Sequence, residues 1–231
     1  MHLRSIRRHS RGVREVYDPR TVAVRVPEPA TDQPRRRATK RAGYWALLRA
    51  VPRTVARSGF RGLTYRALAK EAGVTYGLIS YHFGSREALI EDAARLAVDE
   101  AIAKSQLVPE SGEIEDFASG LPQLLKDDRD AQVFQFDLVT EALRNEKLQE
   151  PVAELYRHYV EAVDEALHEF GVEDDPALAR IVFGALDGLT LQQFAFQDDA
   201  ATAEAVTRLQ ELIREIAEAR GATPRDKPAD I

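Results

Sequence analysis

Apolar residues recur at intervals of three and four positions along most of the chain from Trp45 onwards. Near the start, Trp45, Leu48, Val51 and Val55 keep this spacing. Because that spacing places side chains on one face of an α-helix, the pattern predicts a series of amphipathic helices. We expect about nine, over residues 40–57, 64–72, 76–83, 86–105, 114–126, 131–145, 148–170, 176–196 and 202–220. The predicted fold class is therefore all-α.

The segment from Thr64 to Arg86 predicts two short helices joined by a tight turn. Thr64 can cap the first helix, since its hydroxyl can accept from a free backbone N–H group. Gly73 is suited to end that helix in the left-handed conformation, and Thr75 can cap the next. Ser85 has the position of a cap for a third helix. This order predicts a helix-turn-helix.

The second short helix, Tyr76–Phe83, divides its residues between two faces. The residues expected to pack inwards are Val74, Leu78, Ile79 and Phe83. Those expected to face outwards are Tyr76, Gly77, Ser80 and Tyr81. Hydroxyls at the front of a helix, with a glycine that allows close approach, are suited to a helix that enters the major groove of DNA.

This segment resembles the DNA-binding domain of the TetR family of bacterial transcription regulators. The resemblance rests on Leu47, the run ARSGF at 56–60, Thr64, Leu68 and Ala69, AGVT at 72–75, Gly77, YHF at 81–83 and SREAL at 85–89. It implies a three-helix DNA-binding domain over residues 42–92, in which Tyr76 and Gly77 lie against base edges. The residues implied to contact phosphates are Thr64, Thr75, Tyr81, His82 and Arg86.

Four positions leave alternatives open. A histidine beside a phenylalanine, as His82 is, is often structural, and Tyr81 could belong to the core. Ser80 departs from the family, which often has a tyrosine there, so one contact could be absent or shorter. Pro52 departs as well, because it removes a backbone donor inside the first helix. We expect a kink at Pro52 and no break.

Charge is unevenly distributed along the chain. Residues 1–39 carry ten arginines against four acidic residues, and residues 40–95 carry ten basic residues against four acidic ones. Residues 96–231 carry twelve basic residues against thirty acidic ones, so the net charge of -6 hides a strongly basic first part. Because phosphates attract positive charge, this distribution places the DNA-binding surface on and before the helix-turn-helix.

Residues 1–41 combine many arginines with four prolines and show no sustained helical spacing, which predicts a disordered basic arm. One interpretation is that Arg35, Arg36, Arg37, Lys40 and Arg41 follow the DNA backbone or enter a minor groove. The alternative is a solvated tail, or residues added by an early translation start. At the other end, residues 222–231 are predicted to be a frayed tail.

Residues 93–221 are predicted to form a second helical domain. The resemblance to the TetR family implies that this domain binds a small-molecule ligand and forms a homodimer. The candidate pocket residues combine aromatic, aliphatic and polar side chains and are Phe117, Leu121, Leu124, Phe134, Leu138, Tyr156, Tyr159, Phe183 and Asp187. The alternative is an ordinary bundle core, in which Gly188 simply permits close helix approach.

The helix predicted at 176–196 has an apolar surface broader than one stripe, which suggests that two partners cover it. In the TetR family the last two helices pair with those of a second subunit, and this chain is similar in having its most apolar helix next to last. The expected interface residues are Ala185, Leu189, Phe196, Val206, Leu209, Ile213 and Ile216. The order of residues 141–163 and 184–189 also resembles, more weakly, the branch that regulates glycine-betaine synthesis.

These features together suggest a repressor that leaves a palindromic DNA operator when a small molecule binds. The alternatives are a transcriptional activator or a DNA-binding protein without a ligand. A more remote alternative is a helical enzyme or metal sensor built on His158 with Glu154 and Glu161. We expect no enzyme activity, cofactor or metal.

The absence of cysteine excludes disulfides, thiolate metal sites and a cysteine nucleophile. The sequence has no uninterrupted apolar stretch of membrane-spanning length, and the first residues lack the apolar block of a secretory signal. We therefore expect a cytoplasmic protein that does not bind membranes.

Overall fold

The computed structural model describes residues 34–172 and 175–221, and for residues 34–40 the backbone alone. Within them it contains nine α-helices and no strand, which confirms the predicted fold class. The helices are α1 (Pro34–Gly62), α2 (Tyr65–Ala72), α3 (Tyr76–Phe83), α4 (Arg86–Ser105), α5 (Leu121–Asp127), α6 (Arg129–Ala142), α7 (Gln149–Glu169), α8 (Pro176–Phe196) and α9 (Asp199–Ala219). Two short 3-10 helices lie at Ile114–Asp116 and Glu146–Leu148.

Helix α1 begins earlier than the sequence pattern predicted. Its first residue is Pro34, so the prediction of a disordered arm is wrong for residues 34–41. Those residues lack apolar spacing, but arginine, alanine and lysine are good helix formers and proline is tolerated in the first turn. The predicted arm over residues 1–33 and the predicted tail over 222–231 lie outside the described residues.

Two features of α1 agree with the predictions. The helix continues through the buried Pro52, so the proline does not break it. At Gly59 the backbone leaves helical geometry, with φ of 63° and ψ of 176°, so the regular helix ends close to the predicted end at residue 57. A positive φ of this kind favours glycine.

The predicted single helix over 114–126 is instead a 3-10 turn followed by α5. The chain between them passes through Ala118, whose φ of 54° cannot continue a helix. The backbone N–H of Ala118 donates to the Gln106 carbonyl at 2.9 Å, and that of Gly120 donates to the Ser105 carbonyl at 3.2 Å. These bonds fasten the segment to the end of α4, so tertiary contacts decide its shape.

The first three helices share a compact core. Leu47 and Val51 of α1, Leu68 of α2 and Ile79 of α3 have no solvent exposure. Tyr44 stacks on Phe83 with ring centroids 5.1 Å apart. The helix-turn-helix therefore packs across α1 through the inward face that the sequence predicted.

Helices α4 to α9 pack together, and their core continues into that of the first three helices. Helix α6 packs along α1, where the rings of Phe60 and Phe134 lie 6.0 Å apart. Helix α4 contacts α1, α5 and α7. Both α4 and α6 thus connect the first three helices to the later ones.

We predict that Gly120→Ala destabilises the protein by about 2 kcal/mol or more, because overpacking of a close contact forces the backbone to shift. A Cβ atom at Gly120 would lie 2.0 Å from the backbone oxygen of Lys104, and backbone cannot move aside cheaply. Chemical denaturation measures the effect. Gly77→Ala is the control, since a Cβ there meets nothing within 4 Å. Equal stability of the two variants would contradict the prediction.

Candidate nucleic-acid interface and ligand cavity

The turn between α2 and α3 has the predicted geometry. The Thr64 hydroxyl accepts from the Ala67 N–H at 3.2 Å, and Gly73 ends α2 with φ of 66°. Ser85 caps α4 by accepting from the Ala88 N–H at 3.0 Å. Thr75 stands at the N-cap of α3, but its side chain makes no capping bond, so that part of the prediction is wrong. Its exposed hydroxyl is therefore not used in capping.

The outward face of α3 is exposed. Tyr76 is 58% exposed and Tyr81 is 48% exposed, and Gly77 and Ser80 are exposed as well. The ring of Tyr76 meets that of Tyr65 edge to face at 5.6 Å, so a side chain of α2 supports it. The sequence pattern did not identify Tyr65, because only the folded turn brings the two rings together.

His82 lies in an aromatic cluster and is half-buried. Its ring centroid is 5.4 Å from that of Tyr44 and 5.0 Å from that of Tyr81, both edge to face. These contacts agree with the structural alternative for His82. Tyr81, by contrast, is too exposed to belong to the core.

The side chain of Arg86 turns back towards the end of α1. Its Nη2 donates to the Phe60 carbonyl at 2.6 Å and its Nε donates to the Leu63 carbonyl at 3.3 Å. The guanidinium also lies 6.0 Å from the centre of the Phe60 ring. Arg86 therefore fixes the start of α4 to the connection between α1 and α2, a contact that the sequence could not reveal.

Positive charge surrounds the helix-turn-helix. Arg61, Arg66 and Lys70 are exposed and form no ion pair with a carboxylate of the described residues. Arg53 and Arg57 instead bind Glu71, with 2.8 Å between Arg53 Nε and Glu71 Oε1, and they hold the pKa of that carboxyl below its usual value. The charge distribution along the sequence predicted a basic surface here, but it did not identify these individual residues.

A cavity of about 50 Å3 lies between α4, α5, α6, α7 and α8. Six of the nine predicted pocket residues line it: Leu121, Leu124, Tyr156, Tyr159, Phe183 and Asp187. The other three are not among its lining residues. Phe117 packs edge to face on Phe170, Phe134 packs on Phe60, and Leu138 is buried. Helical spacing alone could not separate these core residues from the cavity wall.

Polar side chains that the sequence pattern missed also line the cavity, namely Ser105, Gln132, Gln135 and Thr190. The Tyr159 hydroxyl donates to Gln135 Oε1 at 2.7 Å. The amide nitrogens of Gln132 and Gln135 are buried and have no hydrogen-bond partner among the described residues. Buried donors are nearly always paired in proteins, which makes these two unusual.

Asp187 is half-buried in the wall of the cavity, and the Tyr156 hydroxyl can hydrogen-bond to its carboxylate. Burial raises the pKa of Asp187, and the bond from Tyr156 opposes that rise. Burial, together with the negative charge of Asp187, raises the pKa of Tyr156 to about 12. No lysine, arginine or histidine lines the cavity in the described part of the chain.

The expected dimer surface is only partly exposed on α8 and α9. Ala185 and Phe196 are exposed, and Leu189, Leu209 and Ile216 are half-buried. Val206 and Ile213 are buried in the core of the same chain, so their assignment to a dimer surface does not fit the structure. The exposed apolar residues that the pattern missed are Ile181, Leu191 and Leu212.

The residues considered for a metal site lie against other partners. Arg95 pairs with Glu154 at 3.5 Å, and His158 Nδ1 is 3.6 Å from Asp99 Oδ1. Over residues 34–172 and 175–221, no three metal-binding side chains come together. No helix in these ranges is long and apolar enough to cross a membrane.

Two family models match the chain. The model for bacterial regulatory proteins of the tetR family matches residues 47–93, and the model for the tetracyclin repressor-like C-terminal domain matches residues 112–228. A comparison with curated protein sequences found no match.

Solved structures with the same fold include a TetR-family transcriptional regulator from Rhodococcus sp. It is 23% identical, with a TM-score of 0.62, over 77% of this chain and 98% of that one. The TetR-family member SCO1917 from Streptomyces coelicolor is 27% identical, with a TM-score of 0.57, over 72% and 97%. The multidrug binding protein EbrR, complexed with ethidium, is 27% identical, with a TM-score of 0.53, over 72% and 98%.

The helix-turn-helix geometry, the all-α fold and the two family models agree, and the second model alone spans half of the sequence. The chain therefore belongs to the TetR family of bacterial transcription regulators.

Proposed function

We propose that this protein is a homodimeric repressor that binds a palindromic operator and leaves it when a small molecule enters the cavity. Members of the family are DNA-binding transcription regulators with a ligand-binding C-terminal domain. The observation that carries the proposal is the exposed outward face of α3. Tyr76, Gly77, Ser80 and Tyr81 present hydroxyls and open space there, and no described element covers them.

In this proposal, Tyr76 and Gly77 lie against base edges in the major groove. Thr64, Thr75 and Tyr81 contact phosphates, and the exposed Arg66 and Lys70 on α2 are added to them. Phosphate contacts position the protein, while contacts to base edges supply sequence preference. His82 and Arg86 take a different role, since their observed contacts make them supports for α3 and α4.

Release by a ligand requires a connection between the cavity and the DNA-binding helices. Gln132 and Gln135 line the cavity from α6, and Phe134 of the same helix packs on Phe60 at the end of α1. A ligand that moves α6 would therefore move α1. The ligand must bind the arrangement that does not fit DNA more tightly than the one that does, because equal affinity would shift nothing.

The apolar surface of α8 and α9 supports the homodimer. Ile181 is 67% exposed and Phe196 is 73% exposed, and Leu191 and Leu212 are exposed as well. Such a concentration of exposed apolar side chains marks an interaction surface. A two-fold dimer would present two copies of α3 to the two halves of a palindrome.

An activator, or a DNA-binding protein without a ligand, is the second candidate. The cavity favours a ligand-responsive protein, because its buried amides lack partners. The likeness to EbrR, a multidrug binding protein in complex with ethidium, also supports a small organic ligand. The position of the operator relative to the promoter decides between repression and activation.

Genomic footprinting with the purified protein tests the proposal, and we expect a protected palindrome. Tyr76→Ala should change the preferred base at one position in each half-site, because a side chain against a base edge carries sequence information. Sequence selection from a random DNA pool measures this change. Lys70→Ala is the control, expected to weaken binding to all sequences alike. Protection without sequence preference would contradict the proposal, and an unchanged Tyr76→Ala profile would remove the base-contact role.

Arg86→Ala should lower the free energy of unfolding by about 2 kcal/mol, because it removes charged donors from two backbone carbonyls. Arg66→Ala should leave stability unchanged and weaken DNA binding, since Arg66 is exposed. Denaturation and DNA titration on both variants separate the two roles. If Arg86→Ala kept full stability but lost DNA affinity, Arg86 would be a phosphate contact, as the family resemblance implied.

Ile181→Asp should convert the dimer into monomers, because a charge would be buried in an apolar interface. Light scattering measures the mass in solution. Leu143→Asp is the matched control: Leu143 is 78% exposed but follows the last residue of α6 and belongs to neither α8 nor α9. A dimer that survives Ile181→Asp, or is lost equally in the control, would place the interface elsewhere.

A further inference from the structure

The side chains that line the cavity indicate which chemical groups a ligand would carry. Its two unpartnered donors, Gln132 Nε2 and Gln135 Nε2, both belong to α6. Gln132 is only 7% exposed, so the surrounding solvent does not supply its partner. A ligand that presents an acceptor, such as a carbonyl oxygen, would satisfy donors that the folded protein leaves unpaired.

Helix α8 places an acceptor at the cavity, whereas α6 places donors there. Asp187 places a carboxylate at the cavity, and burial raises its pKa. No described basic side chain lines the cavity. Aromatic rings line the same cavity: Phe183 stacks on Tyr159 at 5.0 Å and meets Tyr156 edge to face at 5.5 Å. A carboxylate beside aromatic rings suits a positively charged group.

We propose that the effector is a small organic cation that also carries a hydrogen-bond acceptor, with its ammonium group against Asp187 and its acceptor at Gln132 and Gln135. This assignment rests on the proposed function, since it names the ligand class of the same cavity. An anionic effector does not fit, because Asp187 would repel it and no described cavity residue is basic. The volume of about 50 Å3 favours a compact molecule.

Three compact probes test the assignment on DNA-free protein at neutral pH. Glycinamide carries both the ammonium group and the carbonyl acceptor, acetamide lacks the charge, and acetate is an anion. Calorimetric titration and thermal shift measure binding of each. We expect glycinamide to bind at least tenfold more tightly than the other two. Absence of glycinamide binding, or equal or tighter binding of either other probe, would overturn the proposal.

Variants then test which side chains bind the ammonium group and the acceptor of the probe. Asp187→Asn should weaken glycinamide binding at least tenfold, whereas Asp164→Asn, the same change at an exposed site on α7, should leave it unchanged. Gln132→Leu should weaken binding while keeping or raising Tm, because it removes an unpaired buried donor. Unaltered affinity in Asp187→Asn sinks the assignment, and so does unaltered affinity in Gln132→Leu.

Footprinting of the ligand-free protein on DNA, combined with the probe titrations, separates this proposal from the one on which it rests. If the protein protects a palindrome but does not prefer the cationic probe, the ligand class alone is wrong. If cationic binding depends on Asp187 but no DNA sequence is protected, the ligand class stands and the regulator function fails.

Discussion

Helix α4 packs along the continuous core that joins the first three helices to the later ones, and the arrangement of the rest of the protein depends on this constraint. At its beginning, Ser85 caps the helix and Arg86 binds the carbonyls of Phe60 and Leu63, which fixes α4 to the DNA-binding helices. At its end, the Ser105 carbonyl accepts from Gly120 while the Ser105 side chain lines the cavity. A rigid helix held at both ends transmits a shift from one end to the other.

Helix α6 provides a second connection, and it differs from α4 in kind. Its contact with α1 is apolar, through Phe134 and Phe60, whereas its contact with the cavity is polar, through Gln132 and Gln135. Apolar packing resists separation but has no strong directional preference, while unpaired amides respond to one particular arrangement of acceptors. In the proposed release mechanism, a ligand would act on α6 through hydrogen bonds, and α6 would pass the motion to α1 by packing.

Features that depend on residues close together in the sequence could be predicted from the sequence alone. Thr64 and Ser85 cap helices as predicted, and Gly73 adopts the left-handed conformation that its position required. Features that depend on distant segments were missed: the bonds of Arg86, the support of Tyr76 by Tyr65, and the amides of Gln132 and Gln135. The same limit explains Val206 and Ile213, since helical spacing marks a residue as apolar without saying which partner buries it.

The unpaired amides give a physical reason why ligand binding could favour one state of the protein. A buried donor without a partner raises the free energy of the arrangement that contains it. Ligand acceptors that reach Gln132 and Gln135 would remove that cost in the arrangement where both residues line the cavity. The same reasoning applies to Asp187, whose burial without a basic partner disfavours its charge. Such a difference between states is what a ligand needs in order to change DNA affinity.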